Sequence, residues 1–285
     1  MSEKTLFEQL LLTLPTISAW HAPGTPQYEL LKSYARHEVE QRFSSAVNES
    51  RDFGPFGDIV FSYYRMGAID SMDLFGIDEL IIFGFYWVNR QRYRRVTDIG
   101  ANIGLHSLVM DRCGYEVRSY EPDPTHFELL RNNLIVNGCD AVELRQAAVS
   151  KADGEAEFIR VLGNTTGSHL AGSKASPYGD LERFPVRIEA IHPVIEWSDF
   201  IKIDAEGHEY TILSATESQQ WAHCDAMVEV GSEQNAAAIY QLFLEYEVNL
   251  FAQKQNWQLV QHLEEMPTSY RDGSLFITSK ESMPW

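Results

Sequence analysis

The sequence predicts an α/β fold in which mostly parallel strands alternate with helices, and three stretches predict it. Each is a short apolar run that ends in an acid and gives way to a turn and a helix. Val96 to Asp98 precedes Gly100 and Gly104, Val117 to Glu121 precedes Pro122 and Pro124, and Phe200 to Asp204 precedes Glu206 and Gly207. In open sheets of this kind ligands lie beyond the carboxyl ends of the strands, so the three acidic ends are expected on one edge.

The first stretch, Val96-Thr97-Asp98-Ile99-Gly100-Ala101-Asn102-Ile103-Gly104-Leu105-His106-Ser107, reads as strand, loop and helix start. Glycines at 100 and 104 let the backbone approach a ligand closely, and the helix behind them offers free N–H groups. Dinucleotide binders space three glycines as G-x-G-x-x-G around a pyrophosphate, whereas the pattern here is D-x-G-x-N-x-G. A carboxylate at Asp98 repels pyrophosphate and accepts hydrogen bonds from an ammonium group. S-adenosylmethionine carries an ammonium and a sulfonium and no phosphate, so the spacing favours it over a nicotinamide dinucleotide.

Glu121 follows Asp98 by 23 residues, about the interval at which a second strand presents a carboxylate to ribose hydroxyls. Asp123 then suits a helix N-cap with Pro124 in the first turn. Phe127, Leu130 and Leu134 form the buried stripe, and Asn137-Gly138 ends the helix. Val142 to Arg145 is the third strand. Ala156 to Val161 and Phe184 to Ala190 also read as strands, around the small, polar, glycine-rich stretch Gly163 to Ser173, which is either a flexible excursion or a binding loop.

Asp199-Phe200-Ile201-Lys202-Ile203-Asp204-Ala205-Glu206-Gly207-His208-Glu209 is a strand ending in acids and a histidine, before a helix over Tyr210 to Ser214. Ala226 to Val230 is a further buried strand, with Glu229 near the site. A helix with an Ile239, Leu242, Phe243 and Tyr246 stripe follows, and Leu275 to Thr278 is the closing strand.

Taken together, DIGANIGLHS, EPDPTHFELLRNNLIVNG, Ala148-Val149-Ser150 with Gly154 and Phe158, and IKIDAEGHE resemble the FkbM family of class I S-adenosylmethionine-dependent methyltransferases over residues 93 to 280. The resemblance implies a Rossmann-like, seven-stranded, mostly parallel sheet with helices on both faces. It also implies methyl transfer to a hydroxyl of a sugar unit or natural product. By that resemblance Asp98, Gly100, Ala101, Asn102 and Gly104 hold the methionine part, Glu121 and Pro122 the ribose, the Gln146-Ala147 turn lies against the adenine, and Asp204 faces the transfer region. His208 departs from the small or apolar residue expected between the two glutamates.

Methyl transfer is an in-line displacement, so the tasks left to the protein are alignment and disposal of the acceptor proton. An alcohol acceptor needs a base, and Asp204, Glu206 and His208 are the candidates, with His106 and His169 as loop-borne alternatives. In the plainer reading, Glu206 and Glu209 favour a helix N-terminus through its dipole and His208 is a first-turn residue. No compact metal-ligand set is evident, so the expected reaction is metal-independent. Transfer to an amine or carboxylate, and a non-catalytic cofactor-binding module, are the other readings the motifs leave open.

Residues 1 to 92 are expected to form an N-terminal extension preceding a catalytic domain over 93–285. Leu6 to Leu14, Tyr28 to Phe43 and Leu80 to Trp87 read as helices, Gly54 to Gly57 as a turn and Ile59 to Tyr64 as a strand. Such an extension recognises the acceptor through Tyr63, Tyr64, Arg65, Asp70 and Asp73, covers one face of the sheet, or makes a homodimer contact. The net charge of −18, with no basic run, disfavours nucleic acid and acidic membranes, and the resemblance implies a small hydroxylated molecule as the partner. Three scattered cysteines form neither a disulfide framework nor a zinc site, and Lys4 and Glu8 flank too short an apolar stretch for a signal peptide. A cytoplasmic location is the expectation.

Overall fold

A computed structural model describes residues 4–43, 49–174 and 179–285. Helix α1 (Leu6–Thr13) opens at Thr5, whose side chain accepts a hydrogen bond from the Glu8 N–H, and α2 (Pro26–Phe43) packs beside it. Strands β1 (Ser50–Asp52) and β2 (Asp58–Val60) pair antiparallel across the turn at Gly54–Phe56, and β3 (Arg65–Met66) pairs with β4 (Ile69–Asp70). Helix α3 (Ile77–Val88) completes this region. The strand expected over Ile59 to Tyr64 stops at Val60. There the Asn137 amide bonds both the N–H and the carbonyl of Val60, so a side chain takes the place of a neighbouring strand.

The remainder follows the predicted alternation: β5 (Arg95–Ile99), α4 (Leu105–Arg112), β6 (Glu116–Tyr120), α5 (Pro124–Val136) and β7 (Glu143–Arg145). Asp123 caps α5 by accepting from the Thr125 and His126 N–H groups, and the helix ends at Asn137 before Gly138 at φ 69°. Strands β8 (Ala148–Ser150), β9 (Gly154–Val161), β10 (His169–Leu170) and β11 (Leu181–Ala190) form a side sheet in the order β10-β9-β11-β8. The chain then returns through α6 (Ile191–Trp197), β12 (Phe200–Ile203), α7 (Glu209–Leu213), β13 (Asp225–Glu229), α8 (Glu233–Tyr246), β14 (Asn249–Ala252), β15 (Gln258–Leu259) and β16 (Ser274–Thr278).

The central sheet has the order β15-β14-β16-β13-β12-β5-β6-β7. It holds eight strands rather than seven, the addition being the two-residue edge strand β15. Strands β5, β6, β7, β12 and β13 run parallel, and β16 inserts antiparallel between β13 and β14. From β5 the chain winds one way to β6 and β7, and from β12 the other way to β13. The crevice between β5 and β12 is therefore the topological switch point where such sheets bind ligands.

Side-chain alternation divides the core between the two faces of the sheet. Val96, Val117, Phe200, Met227 and Phe276 pack with α1 to α5, whereas Ile99, Ile201, Ile203, Val228 and Ile277 pack with α6, α7 and α8. The N-terminal region thus shares one apolar cluster with the sheet. A second tie is made by backbone: the Ala68 N–H donates to the Gly163 carbonyl over 2.8 Å. A Cβ on Gly67 would lie 2.1 Å from that oxygen, so only glycine fits where the β3–β4 hairpin meets the loop after β9.

Candidate active site

A cavity of about 810 Å³ opens beyond the carboxyl ends of β5, β6 and β12. Gly100 and Asn102 wall it on the first loop, Glu121 and Pro122 on the second, and Asp204, Glu206 and His208 on the third. Gly100, at φ 79°, is required twice over, because a Cβ there would lie 1.8 Å from the Asp204 carbonyl oxygen. That contact holds the glycine loop against the acid-bearing loop after β12. Gly104, at φ 91°, serves packing instead, since its Cβ would meet Leu130 of α5 at 2.5 Å.

Asp98, Ala101 and Gly104 lie behind this wall rather than on it. Asp98 follows the alternation of β5 onto the α4 side, where its Oδ2 accepts from Ser107 Oγ at 2.6 Å. Its Oδ1 is buried without a hydrogen-bond partner among the described residues, and Lys202 Nζ stands 3.9 Å away. At the next turn Ala147 reaches the cavity but Gln146 is exposed and does not, because successive residues point to opposite sides.

Glu121 is buried, and its two oxygens accept from the N–H groups of Asn102 and Asp123, each at 2.8 Å. Burial pushes its carboxyl up to about 8, against the pull of those donors. The Asp123 pKa is lowered overall: burial opposes this, and a paired contact with Arg160 overcomes it.

Lys202 is the polar residue that the sequence reading passed over. It lies on the same face of β12 as Phe200, 7% exposed, with Nζ 3.3 Å from Asp204 Oδ2. Burial works against its charge, but Asp204, Asp98, Glu79 and Glu229 outweigh this and raise its pKa. A lysine inside an otherwise apolar run was the available signal. Glu79, on the first turn of α3, accepts from His106 Nε2 at 2.8 Å and lines the same cavity, and nothing in its local sequence marked it. With Glu229, Lys202 and Tyr270 it also walls an adjoining chamber of about 180 Å³.

The three sequence-predicted bases come together on one loop in different states. Asp204 is half-buried with one oxygen toward Lys202. Glu206, at φ 52°, pairs with Lys174, and burial together with the Asp204 charge raises its pKa. His208 has both ring nitrogens in use, Nε2 with Ser150 Oγ at 2.8 Å and Nδ1 with Ser173 Oγ at 3.0 Å, and burial lowers its pKa to about 4. His106 is similarly engaged by Tyr86 and Glu79. Glu209 faces inward, where it accepts from the Ala205 and Gly207 N–H groups and from Asn235, so it braces the loop.

Of the residues expected to recognise an acceptor, Asp73 lines the small chamber, while Tyr63 hydrogen-bonds Asp70. Ile69 and Leu74, rather than Tyr64 or Arg65, reach the large cavity. Among the described residues no cluster of metal-ligating side chains occurs, and no helix is long and apolar enough to cross a membrane.

The buried polar atoms suit an adenosine-bearing cation. Asn102 Oδ1 and His169 Nε2 belong to cavity-lining residues and have no hydrogen-bond partner among the described residues, and Asp98 Oδ1, just behind the glycine loop, has none either.

The chain is 24% identical over 194 residues to methyltransferase sdnD of Sordaria araneosa, covering 56% of this chain and 74% of that protein. Among solved structures it resembles a precorrin-6y C5,15-methyltransferase from Geobacter metallireducens, at 11% identity and TM-score 0.38 over 67% of this chain and 82% of that one. It also resembles a ribosomal protein L11 methylase from Lactobacillus delbrueckii, at 13% identity and TM-score 0.36 over 70% and 78% of the two chains. A profile of the methyltransferase FkbM domain matches residues 98–271, more than half of the chain, and the protein therefore belongs to the FkbM family of S-adenosylmethionine-dependent methyltransferases.

Proposed function

We propose that the protein methylates a hydroxyl oxygen of a small molecule without a metal ion. The observation that carries this reading is the close approach of Gly100 to the Asp204 backbone, which brings the acid-bearing loop after β12 against the glycine loop at the wall of the cavity. S-adenosylmethionine, when bound, supplies an electrophilic methyl group. Asn102 and the Gly100 loop hold its amino-acid end, with Asp98 giving a negative field from behind, and Glu121 accepts from the ribose hydroxyls. Ala147 and Pro122 give the adenine apolar surface.

The acceptor enters from the side of α3, between Glu79, Glu229 and Tyr270. Asp204 takes its proton, since Lys202 occupies one carboxylate oxygen and leaves the other available. Glu206 and Lys174 close the loop over the bound pair, and His208 positions that loop rather than acting on substrate.

Calorimetric titration with S-adenosylhomocysteine and, in parallel, a nicotinamide dinucleotide tests the cofactor half of the reading, and binding of the former alone is expected. Incubation with deuteromethyl-labelled cofactor and a panel of sugars and hydroxylated natural products, read by mass spectrometry, tests the acceptor half. Label found only on nitrogen, or turnover unaffected by Asp204→Asn, would overturn it.

A further inference from the structure

We propose that His169 recognises the adenine of the methyl donor, accepting a hydrogen bond at Nε2 from the exocyclic amino group. The inference rests on the donor-site reading above and names a residue that this reading leaves without a task. His169 is 2% exposed, lies on β10 in the side sheet, and lines the large cavity.

Its tautomer follows from geometry. Nδ1 stands 3.0 Å from the Gly167 carbonyl oxygen, and a carbonyl only accepts, so Nδ1 carries the hydrogen. In the neutral ring Nε2 then presents a lone pair. Burial, with the cations Lys174 and Arg183, lowers the ring's pKa against the pull of the Gly167 carbonyl and so favours the neutral form. That lone pair is buried and has no partner among the described residues. His106 and His208 differ, because each has both ring nitrogens engaged.

Position selects the ligand group. Leu170, next in sequence, packs with Ala148 and Phe158, which places β10 at the Ala147 end of the cavity. Thr165, in the same loop, bonds His126 Nε2 at 3.0 Å, in the first turn of the helix after Glu121. The charges acting on His169 are cations, Lys174 and Arg183, and Lys174, which also donates to the Gly167 carbonyl, is paired with Glu206. A hydrogen-bond acceptor at the adenine end matches an amino donor on the purine.

The test compares S-adenosylhomocysteine with S-inosylhomocysteine, in which a 6-oxo acceptor replaces the amino donor, by calorimetric titration of the full chain. Wild type is expected to bind the adenosyl compound about tenfold more tightly, the effect of one buried hydrogen bond. His169→Ala is expected to lose about that factor for the adenosyl compound and with it the preference. His169→Gln, whose amide can turn to accept or donate, is expected to bind both compounds and narrow the ratio. A wild type without preference overturns the proposal, as does a folded His169→Ala that keeps the preference or weakens both compounds equally. If His169→Ala does not fold, an unchanged ratio in His169→Gln overturns it. Binding of neither compound by wild type would overturn the donor-site reading itself.

Discussion

The N-terminal cover and the rim of the cavity treat polar and apolar groups in opposite ways. In the cover Phe53 packs against Phe7, Phe43, Phe56, Phe75 and Phe83 at ring separations of 5.4 to 5.9 Å. Buried His21 uses both ring nitrogens, donating to Leu14 and accepting from Trp257. At the rim, Asn102 and His169 each keep a buried atom without a hydrogen-bond partner, as Asp98 does just behind it, and Asn102 and Glu206 hold left-handed backbone. Buried polar atoms left unsatisfied on residues that wall a cavity mark where a ligand is expected to complete the structure. The cover supplies stability, and the rim holds part of it back for binding.

If that division is right, substitutions in the two regions separate stability from binding. Gly100→Ala is the harshest test, since the new Cβ collides with the Asp204 carbonyl. Its Kd for S-adenosylhomocysteine should rise by more than about a hundredfold, and an unchanged value would mean the two loops are not coupled. In the cover, Phe85→Ala removes a fully buried ring that contacts Phe200, Phe276 and Trp285. Denaturation should report a loss of about 3–5 kcal/mol with that Kd little changed in the folded fraction.

The next contrast is one of pH. His21 is held at about 4 by burial, against an ordinary value of 6.5, so the fold keeps it neutral where the unfolded chain would protonate it. Its contribution is complete above pH 6.5 and is lost as the pH falls toward 4, by about 3 kcal/mol in all. His21→Phe should flatten the fall in stability across that window, and an unchanged slope would show that other groups carry it. The smallest effect belongs to His208→Ala. Loss of its serine contacts should cost about 1 kcal/mol of stability and leave S-adenosylhomocysteine binding within about twofold. A tenfold loss of binding would move His208 from bracing the loop to holding the ligand.

The sheet was largely legible, because Val96 to Asp98, Val117 to Glu121 and Phe200 to Asp204 announce both a strand and its end. Less legible was which way each residue points. Alternation from Val96 sends Asp98 toward α4, and that from Phe200 sends Lys202 to the same face, so both placements were within reach of period-two reasoning. Glu79 was not, because it reaches the cavity from a helix far away in sequence and its partner His106 belongs to α4. The end of β2 at Val60 escaped for the same reason, being set by Asn137. Strand β15 is two exposed residues with no apolar pattern to reveal it.

The close fit of Gly67 against Gly163 has a consequence for how such a protein can change. The β3–β4 hairpin and the loop after β9 come from opposite sides of the glycine motif in the chain, yet their backbones meet with no room for a side chain on Gly67. Chimeras that exchange only one of them with a relative would leave mismatched partners, so the two form a single transplantable module. Grafting both together is the cut that should keep the two backbones matched on this scaffold.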